Sequence, residues 1–231
     1  MAIDAILFDV DETLYDRTLA QELILARLPL CLPDLFGDIT FAALQAAWQA
    51  SDRDTGDHKY TVADIQASRS VRSMLFLRHL GIAESHTDTV TRFYLDTYPT
   101  IAAPIAGAAE VVAACAARRP VGVVSNAYPD VQYGKLERLG LRHLFRCIVL
   151  SEEYGGPRKP APEIFLRGCE LLDSAPSATL YVGDSFGNDV IGAQGAGLPA
   201  CWYNPRGLPR PDGATPPAYE LQSLHELEQL L

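Results

Sequence analysis

Residues 3–15 read IDAILFDVDETLY, and this stretch near the start of the chain decides the fold. From residue 3 to residue 8 it is apolar except for Asp4, and such a short continuous run is typical of a buried strand in a parallel sheet. Asp9 and Asp11 follow directly. While the chain stays extended, residues i and i+2 point the same way, so we expect two carboxylates to face one small volume at this strand end.

Strand and helix patterns alternate through the second half of the chain. Further apolar runs predict strands over 120–124, 145–150, 179–182 and 198–203. Helical patterns lie over 108–118, 129–139, 162–172 and 188–196, and a last helix is predicted over 223–231. This alternation predicts an α/β fold with a Rossmann-like doubly wound parallel sheet and helices on both of its faces.

Residues 15–98 interrupt that alternation. They contain four successive helical patterns and no convincing strand, with helices expected over 18–30, 41–51, 62–80 and 85–98. Thr61 and Asp64 resemble a capping box before the third helix, and Gly81 is a plausible C-terminal cap after it. We therefore predict an α/β core domain of residues 1–14 and 99–231, with an inserted all-helical domain of residues 15–98. Residues 204–217 are rich in Pro and Gly and are expected to form an exposed loop.

The composition of the 231 residues is that of an ordinary globular protein. Hydrophobic residues make up 48% and charged residues 21%, which excludes a disordered or fibrous chain. With 19 Lys and Arg against 29 Asp and Glu, the net charge is −10, so we expect no nucleic-acid partner and no anionic membrane partner. No secretory signal or membrane span is expected. Five cysteines without a C-x-x-C pair favour buried, reduced thiols in a cytoplasmic protein.

Two further predicted strands end in short polar residues. One ends in Ser125-Asn126, and another in Gly183-Asp184-Ser185. Ligands of open α/β sheets bind outside the carboxyl ends of the strands, so these residues can converge with Asp9 and Asp11. Clustered carboxylates repel one another, and a divalent cation relieves that repulsion. Hard oxygen ligands from few carboxylates suit Mg²⁺. The alternative is that each strand-end aspartate only caps a loop or helix.

Four short segments follow one another along the chain. They are DVDET at 9–13, Ser125 after two valines, Lys159 in RKPAPEIF, and GDSFGND at 183–189. Together they resemble the motifs of the haloacid dehalogenase-like hydrolase superfamily. Each motif alone is a weak match, whereas all four in order at this spacing are a strong one. The resemblance covers essentially the whole chain, and it is to the group whose helical cap is inserted directly after the first motif.

The resemblance implies a magnesium-dependent phosphatase. Asp9 would be the nucleophile that forms an aspartyl-phosphate, and Asp11 would protonate the leaving oxygen and then activate water. Mg²⁺ would be held by the Asp9 carboxylate, the Asp11 backbone carbonyl and Asp184. The phosphate oxygens would be held by Ser125, the backbone amide of Asn126 and Lys159.

Several of these residues have simpler interpretations. Ser125 could start a turn or cap a helix, and Lys159 could be a solvated cation beside Arg158. Asn188 and Asp189 are left open, since either could support the metal through water, orient Lys159, or open the next helix.

Asp11 bears on the class of reaction. The dehalogenases that name the superfamily lack an acid at this position, because halide leaves without a proton, so Asp11 favours a phosphatase over a haloacid dehalogenase. Sugar phosphomutases keep both aspartates and remain an alternative, as does a non-catalytic ligand-binding relative. The expected substrate is a small phosphorylated metabolite, such as a sugar phosphate, a nucleoside monophosphate or phosphoglycolate. The sequence leaves the particular substrate open, and it does not decide between a monomer and a homodimer.

The inserted helical domain offers few candidates for substrate contact. Arg69 and Arg72 are three residues apart and would share a helix face. Together with residues 58–60 they could contact the substrate, but a solvated surface is the favoured interpretation. Packing inside the helical domain is expected for Phe41, Leu44 and Trp48.

Overall fold

The computed structural model describes residues 3–55, 65–153 and 156–230. The chain divides into two compact units, one of Met1–Arg17 with Ala102–Leu231 and the other of Thr18–Ile101. We call the first the α/β unit and the second the helical unit. The sequence-based limits, after residues 14 and 98, lie a few residues before these divisions.

The α/β unit is built on a parallel sheet whose six described strands all come from this unit. They are β1 (Ala5–Phe8), β2 (Val121–Ser125), β3 (Cys147–Leu150), β4 (Thr179–Gly183), β5 (Ala200–Tyr203) and β6 (Tyr219–Leu221). Their spatial order is β3-β2-β1-β4-β5-β6, and every neighbouring pair is parallel. The strand order reverses at β1, which makes the strand ends around β1 the expected binding crevice. The predicted Rossmann-like doubly wound parallel sheet is confirmed.

The described helices follow the predicted order. They are α1 (Arg17–Cys31), α2 (Pro33–Phe36), α3 (Phe41–Thr55), α4 (Ile65–His79), α5 (Thr87–Thr97), α6 (Ala108–Ala116), α7 (Pro129–Arg138), α8 (Pro162–Leu172) and α9 (Ile191–Gly195). A 3₁₀ helix over Leu224–Leu230 stands where the last helix was predicted. The short helix α2 was not predicted.

One predicted helix, over 188–196, is wrong in its first part. A π-helical turn occupies Phe186–Val190, and α9 begins only at Ile191. The side chain of Asp189 accepts a hydrogen bond from the backbone amide of Ser185 at 2.9 Å, and the Ser185 hydroxyl accepts one from the amide of Asn188 at 3.3 Å. They accompany backbone bonds from the amides of Asp189 at 2.8 Å and Val190 at 3.3 Å to the Ser185 carbonyl. A hydropathy pattern does not report such a turn.

Apolar side chains between the sheet and its helices form the core of the α/β unit. All four residues of β1 are buried, as its continuous apolar run predicted. Leu7 and Val124 of the sheet belong to one buried cluster with Phe165 of α8. Helix α8 lies so close that a methyl group on Gly168 would be 2.7 Å from Leu7 Cδ1. A glycine is therefore needed where α8 crosses the sheet.

The two ends of the α/β unit's broken chain are joined by backbone contacts. The Asp16 amide donates to the carbonyl of Ala103 at 2.8 Å, and the Ile105 amide donates to the carbonyl of Leu14 at 3.0 Å. Tyr15 forms an isolated antiparallel bridge with Pro104 between them. The chain thus leaves the α/β unit and returns to it at neighbouring points.

Stacked aromatic rings form the core of the helical unit. Trp48 and Tyr94 are 5.4 Å apart between ring centroids, and Trp48 also meets Phe76 at 5.5 Å. Leu44 and Trp48 are buried as predicted, but Phe41 is 42% exposed because it opens α3 and has no preceding turn to pack on. Gly81 takes the expected left-handed conformation after α4, with φ of +70°.

Arg72 does not form the solvated surface that the sequence favoured. Its guanidinium carbon lies 4.4 Å from the ring centroids of both Trp48 and Tyr94, and Arg72 Nη1 is 3.6 Å from Asp52 Oδ1. That part of the surface prediction is wrong. Residues 58–60 and the capping residues Thr61 and Asp64 lie outside the described residues.

The five cysteines are free thiols, as predicted. Cys115, Cys169 and Cys201 are buried, whereas Cys31 at the end of α1 is exposed, so the expectation of burial is wrong for Cys31. None of the described helices is long and apolar enough to cross a membrane.

Candidate active site

The six predicted site residues meet at one cleft, at the carboxyl ends of β1, β2 and β4. The cleft has a volume of about 280 Å³. Lys159 reaches it from the segment between β3 and α8. The residues that line it are Asp9, Asp11, Glu12, Arg17, Ser125, Asn126, Lys159, Asp184, Ser185 and Asn188.

A tight loop after β1 positions Asp9 and Asp11. The Asp9 amide still donates to the carbonyl of Val182 at 2.9 Å, so Asp9 continues the register between β1 and β4. The chain then turns, and the carbonyl of Val10 accepts bonds from the amides of Leu14 at 2.8 Å and Tyr15 at 2.9 Å. Glu12 adopts a positive φ of 59° within this turn. The two aspartates therefore lie on a loop whose backbone is constrained by its own hydrogen bonds.

Lys159 is the centre of a buried ionic network. Its Nζ lies 2.8 Å from Asp9 Oδ1, 2.7 Å from Asp189 Oδ1 and 2.9 Å from the Tyr181 hydroxyl oxygen. Burial alone would lower the pKa of Lys159, but the carboxylates of Asp189 and Asp9 outweigh burial and raise it. The lysine therefore stays charged between two carboxylates. The interpretation of Lys159 as a solvated cation is wrong, because this side chain is buried.

Asn126 fixes the backbone of that lysine. The Lys159 amide donates to Asn126 Oδ1 at 2.8 Å, and Asn126 Nδ2 donates to the Lys159 carbonyl at 2.9 Å. Both polar ends of the Asn126 side chain are used in this way. The phosphate contact of its backbone amide, which the motif resemblance implies, stays a prediction.

Asp189 and Tyr181 support Lys159 from below the cleft. Asp189 is 1% exposed, and Gly183 gives it room, because a methyl group on Gly183 would lie 2.5 Å from Asp189 Cγ. The Tyr181 hydroxyl donates to the carbonyl of Val124 at 2.8 Å, and burial raises the pKa of Tyr181 well above its usual value. Of the alternatives left open for Asp189, the geometry favours the orientation of Lys159. Sequence reasoning missed Tyr181, which lies inside an ordinary apolar strand.

Helix α7 supplies two further buried residues that sequence reasoning missed. Gln132 Nε2 donates to the Ser125 hydroxyl oxygen at 3.0 Å. Lys135 Nζ lies 2.5 Å from Asp11 Oδ1. Gln132 is 0% exposed and Lys135 is 4% exposed. Two polar residues three apart beside the buried Leu136 place amide and charge on the inner face of a helix, and that pattern could have pointed to them.

The acidic side chains at the cleft fit a divalent cation. Carboxylate oxygens of Asp9, Asp184 and Asp189 lie within 4.8 Å of one another. Asp9 Oδ1 is buried and has no hydrogen-bond partner among the described residues, although Lys159 Nζ lies 2.8 Å away. Burial raises the pKa of Asp9 to about 6 against the lowering effect of Lys159, and burial raises the pKa of Asp184 to about 8. Carboxylates that resist ionisation in this way gain from a bound cation, and oxygen donors suit Mg²⁺.

The chain matches the family model described as haloacid dehalogenase-like hydrolase over residues 3–197. It therefore belongs to the haloacid dehalogenase-like hydrolase family, which confirms the resemblance carried by the four motifs.

Two curated relatives and one solved structure illustrate the family. The chain is 36% identical over 139 residues to pyrimidine 5'-nucleotidase YjjG of Escherichia coli (strain K12), covering 60% of this chain and 61% of that protein. It is 30% identical over 208 residues to glyceraldehyde 3-phosphate phosphatase of Methanopyrus kandleri, covering 85% of this chain and 82% of that protein. The magnesium-bound structure of the putative HAD-hydrolase YfnB of Bacillus subtilis has a TM-score of 0.81 and 26% identity, covering 100% of this chain and 99% of that one.

Family membership makes the chain a hydrolase, and the two relatives support the class of phosphoric monoester hydrolases expected from the sequence. The matched segment spans about three fifths of the Escherichia coli protein. Haloacid dehalogenases are also among the solved structures that share the fold.

Proposed function

We propose that the chain is a magnesium-dependent phosphatase that hydrolyses a small phosphorylated metabolite through an aspartyl-phosphate. The observation that carries the proposal is the shared cleft of Asp9, Asp11 and Lys159 with Ser125, Asn126 and Asp184. A nucleophile, an acid, phosphate-binding donors and metal-binding carboxylates lie around one volume large enough for a phosphoryl group. The relatives named above support the same class of substrate.

In the proposed first step, an Asp9 carboxylate oxygen attacks phosphorus, and the bond from phosphorus to the ester oxygen breaks. Asp11 protonates that oxygen, and the alcohol leaves. Lys159, 2.8 Å from Asp9 Oδ1, keeps the nucleophile oriented and places positive charge beside the phosphoryl oxygens. The hydroxyl of Ser125 and the amide of Asn126 donate to those oxygens. A bound Mg²⁺, held by Asp9, Asp184 and the Asp11 carbonyl, would shield the two negative partners from each other.

In the second step, Asp11 takes a proton from water, and the hydroxide attacks the aspartyl-phosphate. The bond between phosphorus and the Asp9 oxygen breaks, and inorganic phosphate leaves with Asp9 restored. One carboxyl group thus serves both steps, first as acid and then as base.

We propose the helical unit as the cap that excludes water and selects the substrate. In the chain, the helical unit begins at Thr18, shortly after Asp9 and Asp11. A cytoplasmic location and a small-metabolite partner complete the proposal.

The test is a panel of phosphomonoesters assayed with Mg²⁺, with EDTA, and with the Asp9→Asn variant. We expect Asp9→Asn to lower kcat by at least about 10⁴-fold, since the nucleophile is gone. The control is Asp4→Asn, which removes an exposed carboxylate just before the other end of β1 and leaves the rate unchanged. Turnover that survives both EDTA and Asp9→Asn would contradict the proposal.

Product analysis separates the phosphatase from the other candidates. A sugar phosphomutase, given a sugar 1-phosphate and the bisphosphate, releases the isomer in place of inorganic phosphate. A haloacid dehalogenase releases halide from a 2-haloacid without Mg²⁺, which Asp11 argues against. Tight ligand binding without turnover across the panel would indicate a non-catalytic relative.

A further inference from the structure

Lys135 is a buried lysine outside the Lys159 network. It projects from the second turn of α7 and is 4% exposed. Its Nζ lies 2.5 Å from Asp11 Oδ1. Burying an ammonium group costs free energy unless a charge or an aromatic ring compensates it. The folded protein therefore favours the contact between Lys135 and Asp11.

The loop after β1 provides a second contact for the same lysine. Lys135 Nζ stands 5.0 Å from the ring centroid of Tyr15, which is wholly buried. The Tyr15 amide donates a hydrogen bond to the Val10 carbonyl at 2.9 Å, and the Tyr15 carbonyl accepts one from the Glu12 amide at 2.8 Å. The carboxylate and the ring that meet Lys135 therefore belong to one closed loop, and Lys135 fixes that loop to α7.

The two partners of the ion pair are not equally fixed. The Lys135 side chain is 4% exposed and the Asp11 side chain is 24% exposed, and only Asp11 lines the cleft. The lysine takes one carboxylate oxygen, Oδ1, which leaves Oδ2 for a proton. Each aspartate of the first motif thus has its own lysine, Lys159 for Asp9 and Lys135 for Asp11.

We propose that Lys135 is a positioning residue that holds the Asp11 carboxyl group where it transfers protons. The inference rests on the phosphatase function proposed above. Lys135 acts through Asp11 and does not touch the substrate. Its removal lets the Asp11 side chain rotate, and a displacement of about 1 Å in a reacting group lowers the rate by roughly 10²-fold.

The experiment compares two esters that carry the same phosphoryl group. An alkyl phosphate from the panel needs a proton on its leaving oxygen, whereas the phenolate of p-nitrophenyl phosphate leaves without one. We expect Lys135→Met to lower kcat/KM for the alkyl ester by about 10- to 100-fold and for the aryl ester by less than about 3-fold. Lys135→Arg, which restores the charge, should recover most of the alkyl-ester rate.

Three further readouts separate positioning from a general loss of structure. In the Asp11→Asn background, Lys135→Met should have little additional effect, because two residues that act as a unit are not additive. The inhibition constant of inorganic phosphate should change by less than about 3-fold, since Lys135 does not touch the phosphoryl group. A crystal structure of Lys135→Met should show the Asp11 carboxyl group displaced. The control is Arg138→Met, which removes an exposed cation from the same helix.

Equal losses on both esters, additive losses in the double variant, or weaker phosphate inhibition would each overturn the positioning role. Lys135→Gln repeats the comparison if Lys135→Met does not fold, with the same split expected. A wild-type protein that hydrolyses neither ester overturns the proposed function and this inference with it. If the wild type is active with Mg²⁺ and Lys135→Met loses equal activity on both esters, this inference alone is overturned.

Discussion

The two units of the molecule differ in the charge of the side chains that they bury. The α/β unit buries four charged side chains, Asp9, Lys135, Lys159 and Asp189. Among the described residues of the helical unit, the buried polar side chains are uncharged. Its partly buried Arg72 lies 4.4 Å from the centroids of two aromatic rings. Buried charge costs stability, so its concentration in the α/β unit supports the proposed position of the active site.

Lys159→Met should have the largest effect on stability. It leaves Asp9 and Asp189 buried without their cation, and breaking such a pair costs about 3–5 kcal/mol. The free energy of unfolding, measured with urea in the absence of Mg²⁺, checks this value. The neighbouring Arg158→Met is the control, because it removes a half-exposed pair with Glu152 that contributes about 0–1 kcal/mol. Equal losses of unfolding free energy in the two variants would mean that the buried network contributes no more to stability than a half-exposed ion pair.

Gly183→Ala tests the same network without removing a charge. The added methyl group would lie 2.5 Å from Asp189 Cγ, so Asp189 must shift away from Lys159. We expect a loss of about 1–3 kcal/mol together with lower phosphatase activity. Gly187→Ala is the matched control, since nothing lies within 4 Å of the position that its methyl group would occupy. If both variants are as stable as the wild type, the contact between Gly183 and Asp189 is looser than described.

The pH dependence of stability gives a graded test of the carboxylates. Burial raises the pKa of Asp9 to about 6 and that of Asp184 to about 8, so the folded protein holds these protons more tightly than the unfolded chain. Without Mg²⁺, their contribution to the free energy of unfolding is therefore lost as the pH rises from about 4 to about 8. Mg²⁺ should stabilise the protein more at pH 8 than at pH 6.

The pH dependence of stability in Asp184→Asn is compared with that of the wild type. The substitution removes the group with the higher pKa, so the fall in stability should end near pH 6. Urea unfolding at a series of pH values measures both slopes. Identical slopes in the variant and the wild type would count against a strained carboxylate at residue 184.

Arg72→Met should have the smallest effect on stability. It tests the contribution of a partly buried cation in the helical unit. The guanidinium carbon lies 4.4 Å from the ring centroids of Trp48 and Tyr94, and a cation close to aromatic rings contributes about 0.5–2 kcal/mol. Unfolding followed through tryptophan fluorescence measures the loss. Arg78→Met is the control, because its exposed pair with Glu84 contributes about 0–1 kcal/mol. A loss above that of Lys159→Met would reverse the contrast between the units.

Much of the fold could be predicted because local patterns determine it. Strand β1 is a continuous apolar run, and α8 has the predicted limits because Pro162 begins it and Asp173, with a positive φ of 54°, follows its end. Strand β6 was missed since it has only three residues at the sheet edge. The π-helical turn was missed because a hydropathy pattern does not distinguish it from the first turn of an α-helix.

The site residues likewise fall into those that local sequence patterns predict and those that they do not. Asp9, Asp11 and Asp184 follow strand ends, and Ser125 is the last residue of β2. A parallel sheet alone therefore brings them near one another. Lys135 and Asp11 are 124 residues apart in the chain, and Tyr181 and Val124 are 57 apart. A local pattern can place Lys135 on the inner face of α7, but it does not identify the distant residue that Lys135 contacts. Three-dimensional packing reveals these contacts.

The paired backbone contacts of residues 14–16 with residues 103–105 have an evolutionary consequence. The long insertion starts and finishes at adjacent positions, so recombination could exchange it, shorten it or enlarge it while the sheet keeps its strand order. Lineages descended from such a scaffold could acquire new specificities by replacing one contiguous gene segment. Their catalytic groups would be inherited unchanged.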